Sequence, residues 1–183
     1  MKSSRHTFFG RLLRGAVIVL ALSGALSAQD WWARFGVQGS LPVPTGDFKV
    51  EPGFSVEAGP GLGIGIFWEA PATDNLYHVV GLQANSFGGD AWLYSLSYDM
   101  QYYLQPSWQQ GLYGFAGLSY MKCGANMYIN DYFWGSGFQY SANNFGLDLG
   151  VGIYVTRYLG AEAKLVLATD SWSYMQLSAK WRF

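Results

Sequence analysis

From residue 31 to the C-terminus the chain alternates apolar and polar side chains, stretch after stretch, with turn residues between. A period of two belongs to the β-strand, whose successive side chains point to opposite faces. The last stretch puts Met175, Leu177, Ala179, Trp181 and Phe183 on one face, and Gln176, Ser178, Lys180 and Arg182 on the other. Before it, Leu159, Ala161, Ala163, Leu165 and Leu167 alternate with Gly160, Glu162 and Lys164. Phe145, Leu147, Leu149, Val151 and Ile153 alternate with Gly146, Asp148, Gly150 and Gly152, and only Thr156-Arg157-Tyr158 joins these two stretches. Upstream, Trp92 to Leu104, Val80 to Ala84, Val56 to Ile66 and Ala33 to Leu41 repeat the rhythm. The stretch from Leu112 to Met121 is mixed: Leu112, Ala116, Leu118 and Tyr120 share one parity, while Tyr113 and Phe115 take the other. The reading is eight strands, at about 31–41, 53–67, 76–86, 91–104, 111–122, 142–155, 159–168 and 172–183. An even number of consecutive strands suits an antiparallel up-and-down barrel. No helix-period segment or composition break marks a second domain in this region.

The first 28 residues read differently. Lys2, Arg5, Arg11 and Arg14 precede a small, apolar run from Ala16 to Ala28. That is the layout of a cleavable signal peptide over 1–28, with cleavage after Ser27 or Ala28 and Ala28 favoured. The apolar run is about 13 residues, short of the ~20 a spanning helix needs. The barrel domain is then 29–183, an exported chain. Without the four leader cations, seven basic residues face 12 acidic ones, a balance of about −5. With 13% charged residues and no basic patch, neither disorder nor nucleic-acid binding is expected. The single cysteine, Cys123, makes no intrachain disulfide, so the chain must be held together otherwise, and a closed sheet would do that.

Which face turns inward decides the class. A soluble barrel buries its apolar face; a membrane barrel turns it to lipid and keeps the polar face within. Here the polar face is rich in glycine and carries both charge signs: Arg34, Glu57, Asp99, Asp148, Glu162, Lys164, Lys180 and Arg182. Small residues and paired charges fit a narrow eight-strand interior filled by side chains. Aromatics gather at both strand ends. Trp31, Trp32, Trp68, Tyr77, Tyr102, Trp108, Tyr158, Trp181 and Phe183 lie toward one end, and Phe54, Phe87, Trp92, Tyr94, Tyr120 and Phe138 toward the other. Two such bands read as interfacial girdles. The fold class is therefore all-β, an eight-stranded transmembrane barrel with a lumen charge network.

The tail sharpens this. Alternation from Met175 and Leu177 through Trp181 to a terminal Phe183 resembles the C-terminal insertion signal of outer-membrane barrels. Gly39-Ser40-Leu41-Pro42-Val43-Pro44-Thr45-Gly46-Asp47-Phe48 and Gly146-Leu147-Asp148-Leu149-Gly150-Val151-Gly152-Ile153 are similar to segments of many such chains. The chain resembles the small eight-stranded outer-membrane barrels of the OmpX, OmpW and OmpA-transmembrane-domain type. The resemblance implies an integral barrel in the outer membrane of a Gram-negative-type envelope. Its partners would be outer-membrane lipid, lipopolysaccharide and the barrel-insertion machinery. Phe183 then sits at the periplasmic end, with periplasmic turns near 68–75, 105–110 and 156–158. External loops fall near 42–53, 87–91, 123–141 and 169–171.

Chemistry is sparse. Lipid A-modifying barrels of this size use a His with Ser and an acid at the outer rim, and outside the leader His78 is the only histidine. It shares the outward parity of Val80 and Leu82, whereas Ser95, Ser97 and Asp99 on the next strand point inward, so no triad is expected. Asp47, Glu51, Asp90, Asp131 and Asp170 are placed externally without the spacing of a dedicated cation site. Gly63-x-Gly65 and Gly150-x-Gly152 lie inside strands with no helix following, so they are not phosphate loops. No cofactor, metal or catalytic residue is expected. Tyr128, Tyr132, Phe133 and Trp134, with few charges around them, mark a possible surface-interaction loop. The leading expectation is a non-enzymatic barrel with a largely plugged polar lumen. An OmpW-like channel for small or apolar solutes and a lipid A-modifying enzyme are the alternatives.

Overall fold

The computed structural model describes residues 34–51, 54–88, 91–104, 111–129, 136–169 and 171–183. Every regular element among them is a strand: β1 (Arg34–Pro44), β2 (Phe48–Glu51), β3 (Phe54–Val56), β4 (Gly59–Pro71), β5 (Leu76–Gly88), β6 (Ala91–Tyr103), β7 (Gly111–Ile129), β8 (Ser136–Tyr154), β9 (Leu159–Ala168) and β10 (Tyr174–Arg182). Eight of them close into a barrel in the order β1-β10-β9-β8-β7-β6-β5-β4, while β2 and β3 form a separate hairpin. Each neighbouring pair is antiparallel, including the closing pair, in which Gly36 lies opposite Arg182 and Val43 opposite Met175. The signal segment 1–28, along with Trp31, Trp32, Asp90, Trp108, Asp131 and Asp170, falls outside the described residues.

Two strand boundaries differ from the sequence reading. The second barrel strand begins at Gly59, not near 53, because 48–56 pairs with itself, Phe48 opposite Val56 and Lys49 opposite Ser55. The segment 123–141 is mostly strand rather than loop: β7 and β8 stay paired from Gly111↔Tyr154 out to Ile129↔Ser136. Their outer neighbours stop earlier, β6 at Ala91↔Ala125 and β9 at Gly146↔Ala168. A two-stranded ribbon therefore projects from one end of the barrel, here called the loop end.

At the opposite, turn end the described connections, 72–75 and 155–158, are closed by their own hydrogen bonds. Ala72 N and Thr73 N donate to Leu76 O, and Thr73 Oγ1 accepts from Leu76 N. Thr156 Oγ1 accepts from the amides of Tyr158 and Leu159 in the same manner. Threonine hydroxyls thus cap amides that the ladder leaves free.

The alternation turns the apolar face outward. Leu62, Ile64, Leu118, Val151 and Leu177 are each more than half exposed. The buried face holds Asp99, Gln101, Asp148, Glu162, Lys164, Lys180 and Arg182. This is the reverse of a soluble barrel and matches a wall solvated by lipid. The mixed stretch in β7 resolves with Tyr113 and Phe115 inward and Leu112, Leu118 and Tyr120 on the outer wall. Large rings fit the narrow lumen because glycine stands opposite them. Phe67 faces Gly36, Tyr113 faces Gly152, Phe115 faces Gly150 and Tyr154 faces Gly160. A methyl group on any of these glycines would overlap the facing ring.

Candidate functional site

The lumen holds three layers. At the turn end Tyr103, Tyr113, Phe115 and Tyr154 cluster, with Tyr77 packed against them. Their hydroxyls are tied to acids: Tyr154 OH donates to Glu69 Oε1 at 3.1 Å, and Tyr113 OH to Glu162 Oε2 at 2.9 Å. Buried phenols need such partners. Arg182 Nε meets Glu69 Oε2 at 2.9 Å as an ion pair, and its guanidinium lies 3.2 Å over the Tyr154 ring while Nη2 donates to Tyr103 OH.

In the middle, Lys180 Nζ meets Glu162 Oε2 at 2.9 Å and sits 4.6 Å over the Phe67 ring. Lys164 Nζ lies 2.5 Å from Asp148 Oδ2 and 3.4 Å from Asp99 Oδ2, and Ser119 Oγ donates to Asp148 Oδ1. None of these five charged residues is more than 9% exposed. On the opposite wall Gln83 Nε2 lies within 2.8 Å of Ser40 Oγ, Asn85 Oδ1 and Gln176 Oε1. An amide nitrogen has two protons, so it serves two of the three at once.

At the loop end the lumen turns apolar. Phe48, Phe87, Ala91, Leu93, Met121, Cys123, Val166, Trp172 and Tyr174 form one buried cluster. Phe48, from the loop after β1, stacks on Trp172, from the loop before β10, with centroids 4.2 Å apart. The same loops are tied where Thr45 N and Oγ1 both donate to Ser173 O, at 3.1 and 2.9 Å. Cys123 is buried there with Asn144 Nδ2 3.7 Å from its sulfur.

Of the charges that the sequence places inside, Asp99, Asp148, Glu162, Lys164, Lys180 and Arg182 are brought together as described. Arg34 has inward parity, half-buried at the turn end, opposite Glu69 in register. Glu57 is a correction. It is exposed, in the link between β3 and β4, because the ladder starts only at Gly59 and leaves Glu57 outside the barrel wall. Glu69 was missed. It shares the odd parity of Gly63 and Gly65, but the sequence reading ended that strand at residue 67. Phe87 and Tyr77 are also corrections to the girdles, since both turn inward. Tyr102, Tyr158, Trp181 and Phe183 stand exposed toward the turn end, and Tyr94 toward the loop end.

Met175, Leu177, Trp181 and Phe183 all face outward and are more than half exposed. Tyr128 lies in β7 opposite Gly137, while Tyr132, Phe133 and Trp134 fall outside the described residues. His78 faces outward, its Nδ1 2.6 Å from Tyr98 OH, so the wall separates it from Asp99.

The sequence matches no family profile and no curated protein. Solved structures do match. The N-terminal β-barrel domain of Pseudomonas aeruginosa OprF is 12% identical with a TM-score of 0.53, covering 84% of this chain and 100% of that one. Neisserial surface protein A is 17% identical with a TM-score of 0.50, covering 82% and 95%. Ail, the attachment invasion locus protein of Yersinia pestis, is 12% identical with a TM-score of 0.53, covering 82% and 97%. At these identities the likeness is one of fold, and the fold is that of the eight-stranded outer-membrane β-barrels.

Proposed function

We propose that the protein is a non-enzymatic integral barrel of the outer membrane of a Gram-negative-type envelope, exported by its N-terminal signal, with a structural or surface-interaction role. Its lumen is plugged by its own side chains. The observation that carries this reading is the stack of ion pairs Arg182–Glu69, Lys180–Glu162 and Lys164–Asp148, buried between an aromatic and an apolar cluster. An eight-strand interior has room for side chains or one small ligand, and here side chains fill it. The turn end faces the periplasm, and the insertion machinery reads Met175, Leu177, Trp181 and Phe183 on the outer face of the last strand. Tyr128 of the β7–β8 ribbon, with Tyr132, Phe133 and Trp134 of the sequence that joins its two strands, is the segment that would offer a surface partner stacking area. With His78 and Asp99 on opposite sides of the wall, lipid A chemistry is disfavoured.

The apolar cluster at the loop end favours a second reading, an OmpW-like channel for small or apolar solutes. Passage would have to part the Lys164–Asp148 pair beneath it. Two measurements decide. The protein is expected in the outer-membrane fraction, migrating anomalously on gels until heated, and recovery in the soluble periplasm would defeat the membrane reading. Purified protein in planar bilayers is expected to show at most very low conductance. Large, stable single-channel currents would defeat the plug and leave the second reading standing.

A further inference from the structure

Among the described residues, the middle layer of the lumen sets three carboxylates, Asp99, Asp148 and Glu162, against two ammonium groups, Lys164 and Lys180. Lys180 is matched by Glu162. Lys164 is shared, nearer to Asp148 Oδ2 at 2.5 Å than to Asp99 Oδ2 at 3.4 Å. Toward the turn end Arg182 is matched by Glu69, and the remaining inward cation, Arg34, stands half-buried opposite Glu69 in register. The middle layer is therefore one negative charge in excess, and Asp99 is its least compensated carboxylate. A buried charge in excess is strongly unfavourable unless something neutralises it.

Two oxygens beside that charge lack partners. Asp99 Oδ1 and Gln101 Oε1, two residues apart on the lumen face of β6, are buried and accept no hydrogen bond from a described residue. Asp99 is 6% exposed and Gln101 1%. The ladder explains the first. Asp99 stands between Val79 of β5 and Gly117 of β7, and neither neighbour has a polar side-chain atom. Asp99 Oδ1 fills the space over Gly117, where any side chain would collide with it. Across Gly117 in register stands Asp148, whose Oδ1 already accepts from Ser119 Oγ. Unpartnered oxygens beside an excess negative charge suit a hard cation. The charge count selects its valence, since one monovalent ion neutralises the layer and a divalent ion overshoots by one. The donor set agrees: among the described residues no three His, Cys, Asp or Glu side chains converge to hold a metal.

We propose that the lumen binds one monovalent alkali cation, sodium or potassium, through Asp99 Oδ1 and Gln101 Oε1. Lys164 keeps to the Oδ2 side of Asp99 and leaves Oδ1 to the ion. The ion is then a structural part of the barrel interior, and the stability of the barrel follows the salt around it. The site goes beyond the plug reading, which stands whether or not the layer holds an ion.

The test measures urea unfolding of the full mature chain in phosphatidylcholine vesicles, at one pH and one high ionic strength, in sodium, potassium or choline chloride. Choline is too large for the lumen and serves as the inert cation. An alkali ion at about ten times its dissociation constant should raise the midpoint by roughly 0.7 M over choline. The larger shift names the preferred ion. Asp99→Asn, which removes the excess charge, should abolish the difference between salts, and Gln101→Leu should lose most of it. Crystals grown with thallium(I), a monovalent ion with strong anomalous scattering, should show a peak beside Asp99. Equal wild-type midpoints in all three salts would overturn the site and leave a proton or water to settle Asp99. An alkali shift that survives Asp99→Asn, or thallium bound only elsewhere, would overturn it too. Because the salts are compared on wild-type protein, the proposal is tested even if a variant fails to fold. Heat-modifiable migration reports insertion separately, and bilayer currents report the plug.

Discussion

Replacing Glu162 by Gln removes one charge from the lumen and almost no volume. Among the described residues Glu162 is the only carboxylate within ion-pair distance of Lys180, whose side chain is 3% exposed. Removing one member of a buried pair costs about 3–5 kcal/mol, because the other charge stays behind uncompensated. Two features soften this. Lys180 keeps the Phe67 face at 4.6 Å, a cation–π contact of about 0.5–2 kcal/mol, and Gln still offers Tyr113 an acceptor. The net expectation is a loss of about 2–3 kcal/mol. With a urea slope of about 2 kcal/mol per molar for a chain of this size, the unfolding midpoint in lipid vesicles should fall by roughly 1 M. The variant should still insert and still migrate as a heat-modifiable barrel. Adding Lys180→Met should recover most of the loss, since apolar replacement of a whole buried pair is often neutral or better. A midpoint equal to wild type, or a double variant as weak as the single, would refute the claim that this pair is buried and isolated.

Other outcomes follow from the same geometry. If the insertion machinery reads the outward row ending at Phe183, as proposed above, deleting Phe183 should lower the assembled fraction more than trimming loop residues 126–136 does. Pulse-labelling with heat-modifiability as the readout checks it, and equal assembly of both variants would count against the tail. Phe48→Ala or Trp172→Ala should loosen the loop-end cluster by about 3–5 kcal/mol. Cys123, now fully buried, should then react with an added maleimide at least about tenfold faster. Unchanged labelling would mean that the stacked rings do not hold the cluster shut.

How much of this was legible in the sequence depends on the element. Where one face meets lipid and the other meets charge, as in β9 and β10, alternation alone assigns every side chain. It fails where that contrast lapses. In β7, Tyr113 and Phe115 are apolar yet inward, because their rings sit on Gly152 and Gly150 and the Tyr113 hydroxyl reaches Glu162. From Asn126 to Ile129 and from Ser136 to Asn144 the paired ribbon runs past the ends of β6 and β9, so the lipid pattern need not continue there and the sequence reads as loop. Glu69 was hidden by Pro71, Asp74 and Asn75, turn signals that pulled the strand end too early. Glu57 was placed inside for the opposite reason, since Gly59, Gly61 and Gly63 extend its parity although the ladder starts after it. The loop-end cluster was illegible because Phe48 and Trp172 come from opposite ends of the chain. No periodicity links them.

Arg182 has a consequence for the order of events during assembly. Its guanidinium reaches Glu69 on β4, Tyr103 on β6 and Tyr154 on β8, three strands that are not neighbours of its own. Lys180 and Glu162 lie on adjacent strands and meet as soon as β9 and β10 form a hairpin. The Arg182–Glu69 ion pair, by contrast, is not a hairpin contact. Its acid is more than a hundred residues earlier in the chain and two strands away across the β1–β10 junction. Contacts of that sequence separation carry a large closure entropy and form late. The penultimate residue of the chain therefore acts as a clasp that fastens only when the ring is complete. A barrel stalled one strand short would be marked by an arginine still without its glutamate.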